Sequence, residues 1–371
     1  MARQACRQVR AMSEFSAEDH RWMGRALQLA ERAAYTARPN PMVGCVLVRE
    51  GQVVGEGFHV RTGEGHAEVN ALRQAGGQAR GATAYVTLEP CAHYGRTPPC
   101  ALALIEAGVS QVVAAMRDPF PKVDGGGFDL LRAAGIQVRS GLLEPQAREL
   151  NRGFLSRFER GRPWVRVKLG CSLDGRTALA SGESKWITSA DARADVQRWR
   201  ARSGAILTGA GTVLADDPAL TVRLGDDTPF QPPLRVVLDA RLSTLAQAKV
   251  RDASAPTLYL HAEGASTQHE VEREAIAAID GRLDLHAALQ VLAQRQVNEI
   301  QVEAGARLSG ALLKAGLVDE LLLYMAPVLL GDDGRGLFGG LGITQMQQRH
   351  ALKLVDTRQV GPDLRLLLRS M

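Results

Sequence analysis

The chain has 371 residues, a formal net charge of +5, five cysteines and 45% hydrophobic residues. Its length predicts two domains with substantial cores, and its low, odd cysteine count fits a reducing compartment, so we expect a cytoplasmic protein. No apolar run approaches the roughly 20 residues that cross a bilayer, and no Lys/Arg run indicates a nucleic-acid tract, so neither a membrane nor a nucleic acid is an expected partner.

The first residues predict no folded element. Residues 1–15 contain Arg3, Arg7 and Arg10 but lack the apolar core of a secretory signal. We therefore expect an N-terminal tail over 1–15, with Met12 as an alternative start.

The N-terminal half alternates helical and extended patterns. In chain order we predict a helix over 17–35, a hairpin of Val43–Val48 and Val53–Phe58, a helix over Ala67–Ala75, a strand over Ala84–Leu88, a helix over Cys100–Ala107, and strands over Gln111–Met116 and Gln137–Arg139. The run Gly125–Gly127 predicts a mobile loop before a further helix. Strand ends and helix starts are where open α/β sheets place their sites.

Such positions carry the strongest chemical signal of the chain, which is His66-Ala67-Glu68 followed by Pro90-Cys91 and Cys100. Catalytic zinc takes three protein ligands and keeps a fourth position for water. A glutamate two residues from the ligand histidine moves protons without binding the metal. This is the pattern of the zinc nucleobase deaminases, H-x-E with P-C-x-x-C. We predict zinc on His66, Cys91 and Cys100, with Glu68 as the proton carrier.

The spacing of the two cysteines departs from that pattern, because eight residues separate them. Gly95 and two prolines predict a loop, and Thr97 before Pro98 resembles a helix N-cap. Cys100 then begins a helix, where the dipole favours a thiolate. We expect His93, Arg96 and Thr97 to face a ligand, with Arg96 able to hold a phosphate.

A structural zinc site is the alternative for these residues. Such a site normally has four Cys or His ligands in pairs, and no second pair lies nearby in the sequence, so we favour catalytic zinc. Cys6, Cys45 and Cys171 are scattered among apolar or terminal residues and are expected to be incidental reduced thiols.

A domain boundary is predicted near residues 145–163, where Phe158–Pro163 resembles a linker after a helix. The second half again predicts an α/β domain. It has a strand at Trp164–Leu169, further strands near 204–208, 234–239, 256–261, 298–303 and 320–326, and a closing antiparallel hairpin around 360–363.

The motifs of the second half indicate a nucleotide. Gln301–Gly310 predicts a strand, a glycine-containing turn and a helix start, which lets backbone N–H groups approach a phosphate. A helix start that only needs a flexible backbone is the alternative, since the spacing matches neither GxGxxG nor a P-loop. Small-residue turns at Ile206–Thr212 and Lys168–Arg176 are two further candidates, and Arg200 and Arg223 are potential anion holders, although exposed arginines are usually only solvated.

Taken together, the motifs resemble the bifunctional riboflavin-biosynthesis deaminase–reductase family over essentially the whole chain. The resemblance rests on Asn40–Gly44, His66–Glu68, Thr87–Cys91, His93–Cys100, Val167–Gly170, Ser172–Arg176, Ser181–Thr188 and Val302–Gly305. The long loop between the cysteines is typical of this family. The resemblance implies a cytidine-deaminase-like three-layer domain over 16–160 and a dihydrofolate-reductase-like α/β domain over 161–371.

The resemblance also implies two reactions. The first domain would remove the ring 2-amino group of 2,5-diamino-6-ribosylamino-4(3H)-pyrimidinone 5′-phosphate by hydrolysis with zinc. The second would pass hydride from NADPH to C1′ of the ring-opened ribose. The family further implies a homo-oligomer, a dimer or larger.

The family's other site positions transfer to residues of this chain. Asn40 would hold the ribose or the base, and Lys168 and Asp216 would position the transferred hydride or a proton. The implied NADPH positions are Gly170, Trp186, Thr212, Asp216, Gly305, Ala306, Arg307, Leu308, Ser309 and Gly310. The implied substrate positions are Ser184, Arg200, Leu220, Arg223 and Glu303.

Two segments depart from the family pattern. Ala240 follows Leu238-Asp239 where many members have serine, and Asp124–Gly127 replaces a common Ala-Gly-Arg-Gly. The first change predicts the loss of one hydrogen bond to NADPH, and the second predicts a weaker substrate contact.

Two other functions stay open at this point. One is a zinc deaminase of another nucleobase, nucleoside or tRNA with an unrelated appended nucleotide-binding domain, against which the long loop and the lack of a basic, aromatic-rich stretch argue. The other is a non-catalytic protein with a vestigial zinc site. Glu68 argues against this last function, because a structural site has no use for a carboxylate that does not bind the metal.

Overall fold

The computed structural model describes residues 15–94, 98–121, 123–246 and 249–371. The predicted tail up to residue 14 and the residues Arg96 and Thr97 lie outside these ranges. The chain divides into two compact units, 1–158 and 159–371. Within the described ranges, no helix has the length and apolar character needed to cross a membrane.

The N-terminal unit contains one five-stranded sheet in the order β2-β1-β3-β4-β5. Its elements are α1 (Ala17–Glu31), β1 (Gly44–Arg49), β2 (Gln52–Phe58), α2 (Ala67–Ala75), β3 (Thr83–Val86), α3 (Cys100–Ala107), β4 (Gln111–Ala114), α4 (Gly126–Ala133), β5 (Gln137–Ser140), α5 (Glu144–Leu150) and α6 (Arg152–Arg160). β1 runs antiparallel to β2 and β3, whereas β3, β4 and β5 are parallel. Strands that alternate apolar residues on both faces require cover on both faces.

That cover makes the unit three-layered. Cys45 and Leu47 of β1 pack with α2, α3 and α4 on one face of the sheet. Val46 and Val48 point to the other face and pack with α1, α5 and α6. The two-residue period of a strand therefore places both cores on one short segment, and the predicted three-layer α/β fold is confirmed.

The C-terminal unit is built on a nine-stranded sheet in the order β11-β10-β9-β8-β14-β6-β15-β18-β17. Its elements are β6 (Trp164–Ser172), β7 (Arg176–Ala178), α7 (Ala190–Arg202), β8 (Ala205–Gly209), α8 (Ala210–Asp216), β9 (Leu234–Leu238), β10 (Thr257–Ala262), β11 (Arg273–Ile276), β12 (Ala278–Ile279), β13 (Arg282–Leu283), α9 (Leu285–Gln294), β14 (Glu299–Val302), α10 (Ala306–Lys314), β15 (Glu320–Ala326), β16 (Arg335–Gly336), β17 (Leu352–Val360) and β18 (Asp363–Ser370). β17 and β18 form the predicted antiparallel hairpin at one edge.

Both faces of this sheet are covered as well. Val165, Val167 and Leu169 pack with α9 and α10 in the largest core. On the opposite face α7 packs through Ala192 and Val196 against β15 and β18. Parallel strands at the centre of the sheet place the ends of β6, β8 and β14 at one common edge, where a ligand site is expected in an open α/β sheet.

Two predictions on local structure are wrong. The run Gly125–Gly127 is not a loop throughout, because α4 begins at Gly126. The Glu89 carboxylate accepts hydrogen bonds from the N–H groups of Gly127 and Phe128, which stabilises this helix start. The expected linker over 158–163 is also shorter than predicted, since α6 continues to Arg160.

Candidate functional site

Three side chains of the N-terminal unit meet as the motif predicts. His66 is the residue before α2, Cys91 follows β3, and Cys100 is the first residue of α3. The His66 Nδ1 atom lies 3.2 Å from the Cys100 Sγ atom and 3.7 Å from the Cys91 Sγ atom. All three ligand atoms lie within 4.8 Å of one another. Such separations fit one tetrahedral zinc with bonds of about 2.3 Å to sulfur and about 2.0 Å to nitrogen.

The environment of the cluster favours a thiolate. The Cys91 sulfur has hydrogen bonds with the Cys100 thiol and with His66. It also accepts the Cys100 backbone N–H at 3.3 Å. These contacts outweigh burial and lower the pKa of Cys91, whereas the hydrogen bond to Cys91 and burial raise the pKa of Cys100, contrary to the expectation from its helix position. The thiolate is the form that binds metal, so the pair offers one sulfur, that of Cys91, already suited to zinc.

Glu68 lies in the first turn of α2 beside this cluster and is 3% exposed. Burial and the Cys91 charge raise the pKa of the Glu68 carboxyl to about 7. A buried carboxyl with that pKa can both accept and return a proton near neutral pH. This is the property that a proton carrier needs.

Asn40 reaches the cluster through a histidine to which the sequence assigned no role. The Asn40 amide nitrogen lies 3.0 Å from the His59 Nε2 atom. The His59 ring meets the His66 ring edge to face at a centroid distance of 5.3 Å. His59 therefore contacts the ring of the predicted ligand His66 on one side and Asn40 on the other.

Glu89 and Asp118 are two further buried carboxyl residues that sequence reasoning missed. Glu89 accepts four backbone N–H groups, which belong to Asp118, Gly125, Gly127 and Phe128. Burial, together with the nearby Glu89 charge, raises the pKa of Asp118 to about 7. Position was the available signal, because Glu89 precedes the Pro-Cys pair and Asp118 follows β4, the strand next to β3.

The C-terminal unit contains a cavity of about 1510 Å³ at the ends of the central strands. One ligand usually occupies about 300–1,000 Å³, so this cavity has room for two. Most of the predicted reductase positions line it: Lys168, Gly170, Ser184, Trp186, Arg200, Thr212, Asp216, Leu220, Arg223, Glu303, Gly305, Ala306, Arg307 and Leu308.

Ser309 and Gly310, the last two predicted cofactor positions, are not among the lining residues. Both lie inside α10, and both are buried. The Ser309 hydroxyl donates to the Ala304 carbonyl, and Gly310 packs against the backbone of Gly339. Gln301–Gly310 thus continues into regular helix, and the part of it that lines the cavity is 303–308.

Arg200 and Glu303 form a paired charge in the cavity wall. Two nitrogens of the Arg200 guanidinium donate to the two Glu303 carboxylate oxygens at 2.6 and 2.7 Å. Burial opposes ionisation, but the Arg200 charge dominates and lowers the pKa of Glu303 to about 2. Burial lowers the pKa of Lys168, which the Glu303 charge partly offsets. Two cations against one anion leave this wall suited to an anionic ligand.

The other end of the cavity has the features of a cofactor site. Trp186 is 69% exposed, so its ring presents a free face for stacking. Gly305 precedes α10 without a side-chain cap, which leaves N–H groups of the first turn available to phosphate. The Thr212 hydroxyl accepts the Gly305 N–H at 3.2 Å and fixes this turn. These residues fit a dinucleotide.

The segment that departs from the family at Ala240 lies elsewhere. The Ala240 carbonyl accepts a hydrogen bond from the Ala262 N–H, and neither residue is among those that line the cavity. Asp239 turns inward, where its carboxylate accepts from the Thr244 hydroxyl and backbone N–H, both at 2.8 Å.

Two family models match the two parts of the chain. The cytidine and deoxycytidylate deaminase zinc-binding region matches residues 16–116. The RibD C-terminal domain matches residues 163–366. The zinc cluster falls in the first match and the cavity in the second.

Similar proteins cover nearly the whole chain. The riboflavin biosynthesis protein RibD of Escherichia coli is 50% identical over 363 residues, which are 95% of this chain and 99% of that protein. The RibD of Haemophilus influenzae is 49% identical, with 96% of this chain and 98% of that protein covered.

Solved structures of similar proteins also match nearly the whole chain. Acinetobacter baumannii RibD superposes with a TM-score of 0.88 at 46% identity. A Thermotoga maritima diaminohydroxyphosphoribosylaminopyrimidine deaminase/5-amino-6-(5-phosphoribosylamino)uracil reductase gives 0.85 at 33% identity. Each comparison covers 95% of this chain and 99% of the other.

Proposed function

The chain belongs to the RibD family of riboflavin biosynthesis proteins, and we propose that residues 16–160 carry its deaminase reaction and residues 161–371 its reductase reaction. It is a bifunctional enzyme of this pathway, with zinc and NADPH as cofactors. Its substrate is 2,5-diamino-6-ribosylamino-4(3H)-pyrimidinone 5′-phosphate. The observation that carries the assignment of residues is the cluster of His66, Cys91 and Cys100 with Glu68 beside it.

In the deaminase reaction, His66, Cys91 and Cys100 hold zinc. The bound metal supplies Lewis-acid activation of a water molecule. Glu68 accepts a proton from the attacking water and later gives it to the departing amine, so the reaction releases ammonia and leaves a carbonyl on the ring. Glu68 is buried in the first turn of α2, two residues from His66, which keeps its carboxyl beside the ligand cluster for both transfers. Asn40, held by His59, binds the base or the ribose.

In the reductase reaction, NADPH supplies the hydride, and the protein holds cofactor and substrate in the positions that the transfer requires. Trp186, Thr212 and the turn from Gly305 to Leu308 bind the cofactor. Gly170 lies beside Thr188 in the cavity wall, where a side chain would meet the Thr188 methyl group at 3.2 Å. Because Gly170 has no side chain, its backbone lines the cavity directly, and we place it with the cofactor residues.

The other predicted positions hold the substrate and the reacting atoms. Arg200, Arg223 and Ser184 bind the phosphate, while Leu220 and Glu303 contact the ribose chain. Lys168 and Asp216 position C1′ for the hydride, or supply the proton that the nitrogen attached to C1′ takes up. The excess of cations over anions around Glu303 supports a phosphorylated substrate at this wall.

One assay tests both reactions together. Zinc-loaded protein receives the diaminopyrimidine ribosyl phosphate, and released ammonia and NADPH absorbance are followed in the same cuvette. We expect ammonia first and NADPH loss second. Ammonia release without NADPH loss would contradict the reductase assignment. No ammonia release at all would contradict the substrate assignment and favour a deaminase of another nucleobase or nucleoside.

We further propose a homo-oligomer, a dimer or larger, in the cytoplasm. The edge strand β17 exposes Leu354 and Val355, and an exposed apolar edge strand is a template for pairing with another chain. The cysteines of the described segments are free thiols, which a reducing compartment preserves. Light scattering on the purified protein measures the assembly, and a monomer at micromolar concentration would contradict it.

A further inference from the structure

One face of α7 connects two loops of the cavity that are distant in sequence. Arg193, Gln197 and Arg200 recur at helical spacing and line the cavity together. The neighbouring face of α7 is fixed, because Ala192 and Val196 pack against the sheet. The helix start is fixed too, since the Ser189 backbone N–H donates to the Asp363 carboxylate at 2.7 Å. The helix is therefore a rigid support for whatever its polar face holds.

Arg193 holds the loop that carries Trp186. Its guanidinium donates to the Thr188 carbonyl at 2.6 Å and lies over the Trp186 ring, 4.4 Å from the centroid. Within the ranges that the structure describes, Arg193 forms no ion pair with a carboxylate. The Thr188 carbonyl and the Trp186 ring are therefore the partners of its guanidinium. Because Trp186 is largely exposed, the stacked guanidinium supports one face of its ring and leaves the other to the cavity.

Gln197 holds the loop that carries Arg223. The Gln197 side-chain carbonyl accepts the Arg223 backbone N–H at 3.0 Å. Its amide reaches back to the Arg193 carbonyl at 3.5 Å, which keeps the side chain over the same helix face. One turn further on, Arg200 donates to the Thr221 carbonyl of that loop at 2.8 Å.

We propose that Arg193 and Gln197 are positioning residues for the reductase reaction, Arg193 for the cofactor through Trp186 and Gln197 for the substrate phosphate through Arg223. The proposal rests on the proposed function, which places NADPH at Trp186 and phosphate at Arg223. It adds that separate contacts on a single helix position the cofactor subsite and the phosphate subsite. Changes in the two side chains should therefore act on different ligands.

The test compares Arg193→Met and Gln197→Leu in the full-length protein. NADPH affinity is measured by quenching of tryptophan fluorescence, with Trp186→Phe identifying the share of the signal that comes from Trp186. Phosphate-side affinity is measured with ribose 5-phosphate as a competitor of the substrate. Arg198→Met is the matched control, because Arg198 lies on the same helix, outside the cavity lining, and pairs with Asp226 at the surface.

We expect Arg193→Met to raise the NADPH Kd and KM about tenfold and to change the ribose 5-phosphate constant less than about twofold. Gln197→Leu should show the reverse pattern. Arg193→Lys should recover part of the NADPH affinity, because an ammonium can stack on Trp186 or donate to Thr188 but cannot do both well. This conservative variant also keeps the test informative if Arg193→Met does not fold.

Two results would overturn the proposal. One is that both variants shift both ligands equally, and the other is that Arg193→Met behaves like Arg198→Met. Failure of the proposed function gives a different result. If Trp186→Ala and Thr212→Val leave NADPH affinity unchanged, the cavity is not the cofactor site, and both assignments fall together.

Discussion

The zinc cluster and the cavity of the C-terminal unit are constructed in different ways. Three ligand atoms within 4.8 Å of one another define the first. A space of about 1510 Å³ with a wall drawn from many segments between Lys168 and Gly336 defines the second. In the cluster, the chemistry depends on which few side chains are present. In the cavity, it depends on the geometry of loops held by polar contacts.

This difference determines how substitutions should act. A single replacement in the cluster removes an element that no neighbour can supply, so its effect should be large and confined to one reaction. A single replacement around the cavity loosens one loop while others remain, so its effect should be graded. The following experiments test this contrast from the largest expected effect to the smallest.

Glu68→Gln is expected to have the largest effect. It removes the carboxyl that we propose as the proton carrier but retains the shape of the side chain, so ammonia release should fall about 10²–10⁴-fold while zinc stays bound. Metal content by atomic absorption and NADPH oxidation with the deaminated intermediate should match the unsubstituted protein. Glu106→Gln, on the exposed side of α3, is the control. Deamination that survives in Glu68→Gln would exclude Glu68 as the proton carrier.

Glu303→Gln is expected to have a smaller effect with a characteristic pH dependence. It leaves Arg200 without its carboxylate, so at neutral pH both reductase activity and the free energy of unfolding should decrease. Because the folded pKa of Glu303 is about 2 and its reference value is 4.5, the ionised carboxyl stabilises the fold above pH 4.5. That contribution, up to about 3 kcal/mol, is lost as the pH falls from 4.5 through about 2.

The difference in unfolding free energy between the original protein and Glu303→Gln should therefore narrow across that acid range. Urea unfolding at a series of pH values, followed by tryptophan fluorescence, measures it. A difference that stays constant from pH 7 to pH 2 would show that the pair with Arg200 contributes nothing to the stability of the fold.

The same contrast explains how well the sequence predicted each site. Cysteine, histidine and glutamate at motif spacing have few other uses, so His66, Cys91, Cys100 and Glu68 could be proposed from the sequence, and the structure brings the three predicted ligand atoms together. The cavity gave weak signals, because glycine turns and arginines occur everywhere. Its predicted positions depended on the family resemblance, and two of them, Ser309 and Gly310, are buried in α10.

Long-range contacts could not be predicted from the sequence. Glu89 accepts N–H groups from residues up to 39 positions away, and Arg200 meets Glu303 over 103 positions. Alternating hydrophobicity predicted most strands, since it reports burial of each face. It did not report that a distant carboxylate would convert the run after Gly125 into a helix start.

Gly127→Ala tests whether this helix start is essential to the deaminase side. A Cβ atom at Gly127 would overlap the Pro90 carbonyl oxygen, next to the predicted ligand Cys91. The backbone would have to move, and we expect a loss of about 1–3 kcal/mol of stability together with weaker zinc binding. Gly77→Ala is the matched control, because a Cβ atom there meets nothing within 4 Å. Thermal unfolding and zinc titration of both variants provide the measurement, and equal behaviour would contradict the close approach.

Ala240→Ser should have the smallest effect. The family pattern has serine here and suggests a lost hydrogen bond to NADPH, but Ala240 lies outside the cavity lining and its carbonyl already pairs with Ala262. A hydroxyl at this position would lie away from the cofactor turn, so the KM for NADPH should change by less than about twofold. Steady-state reduction at varied NADPH measures this value. A tenfold gain in affinity would mean that NADPH extends beyond the cavity to the end of β9. The cofactor site would then be larger than the cavity of the C-terminal unit.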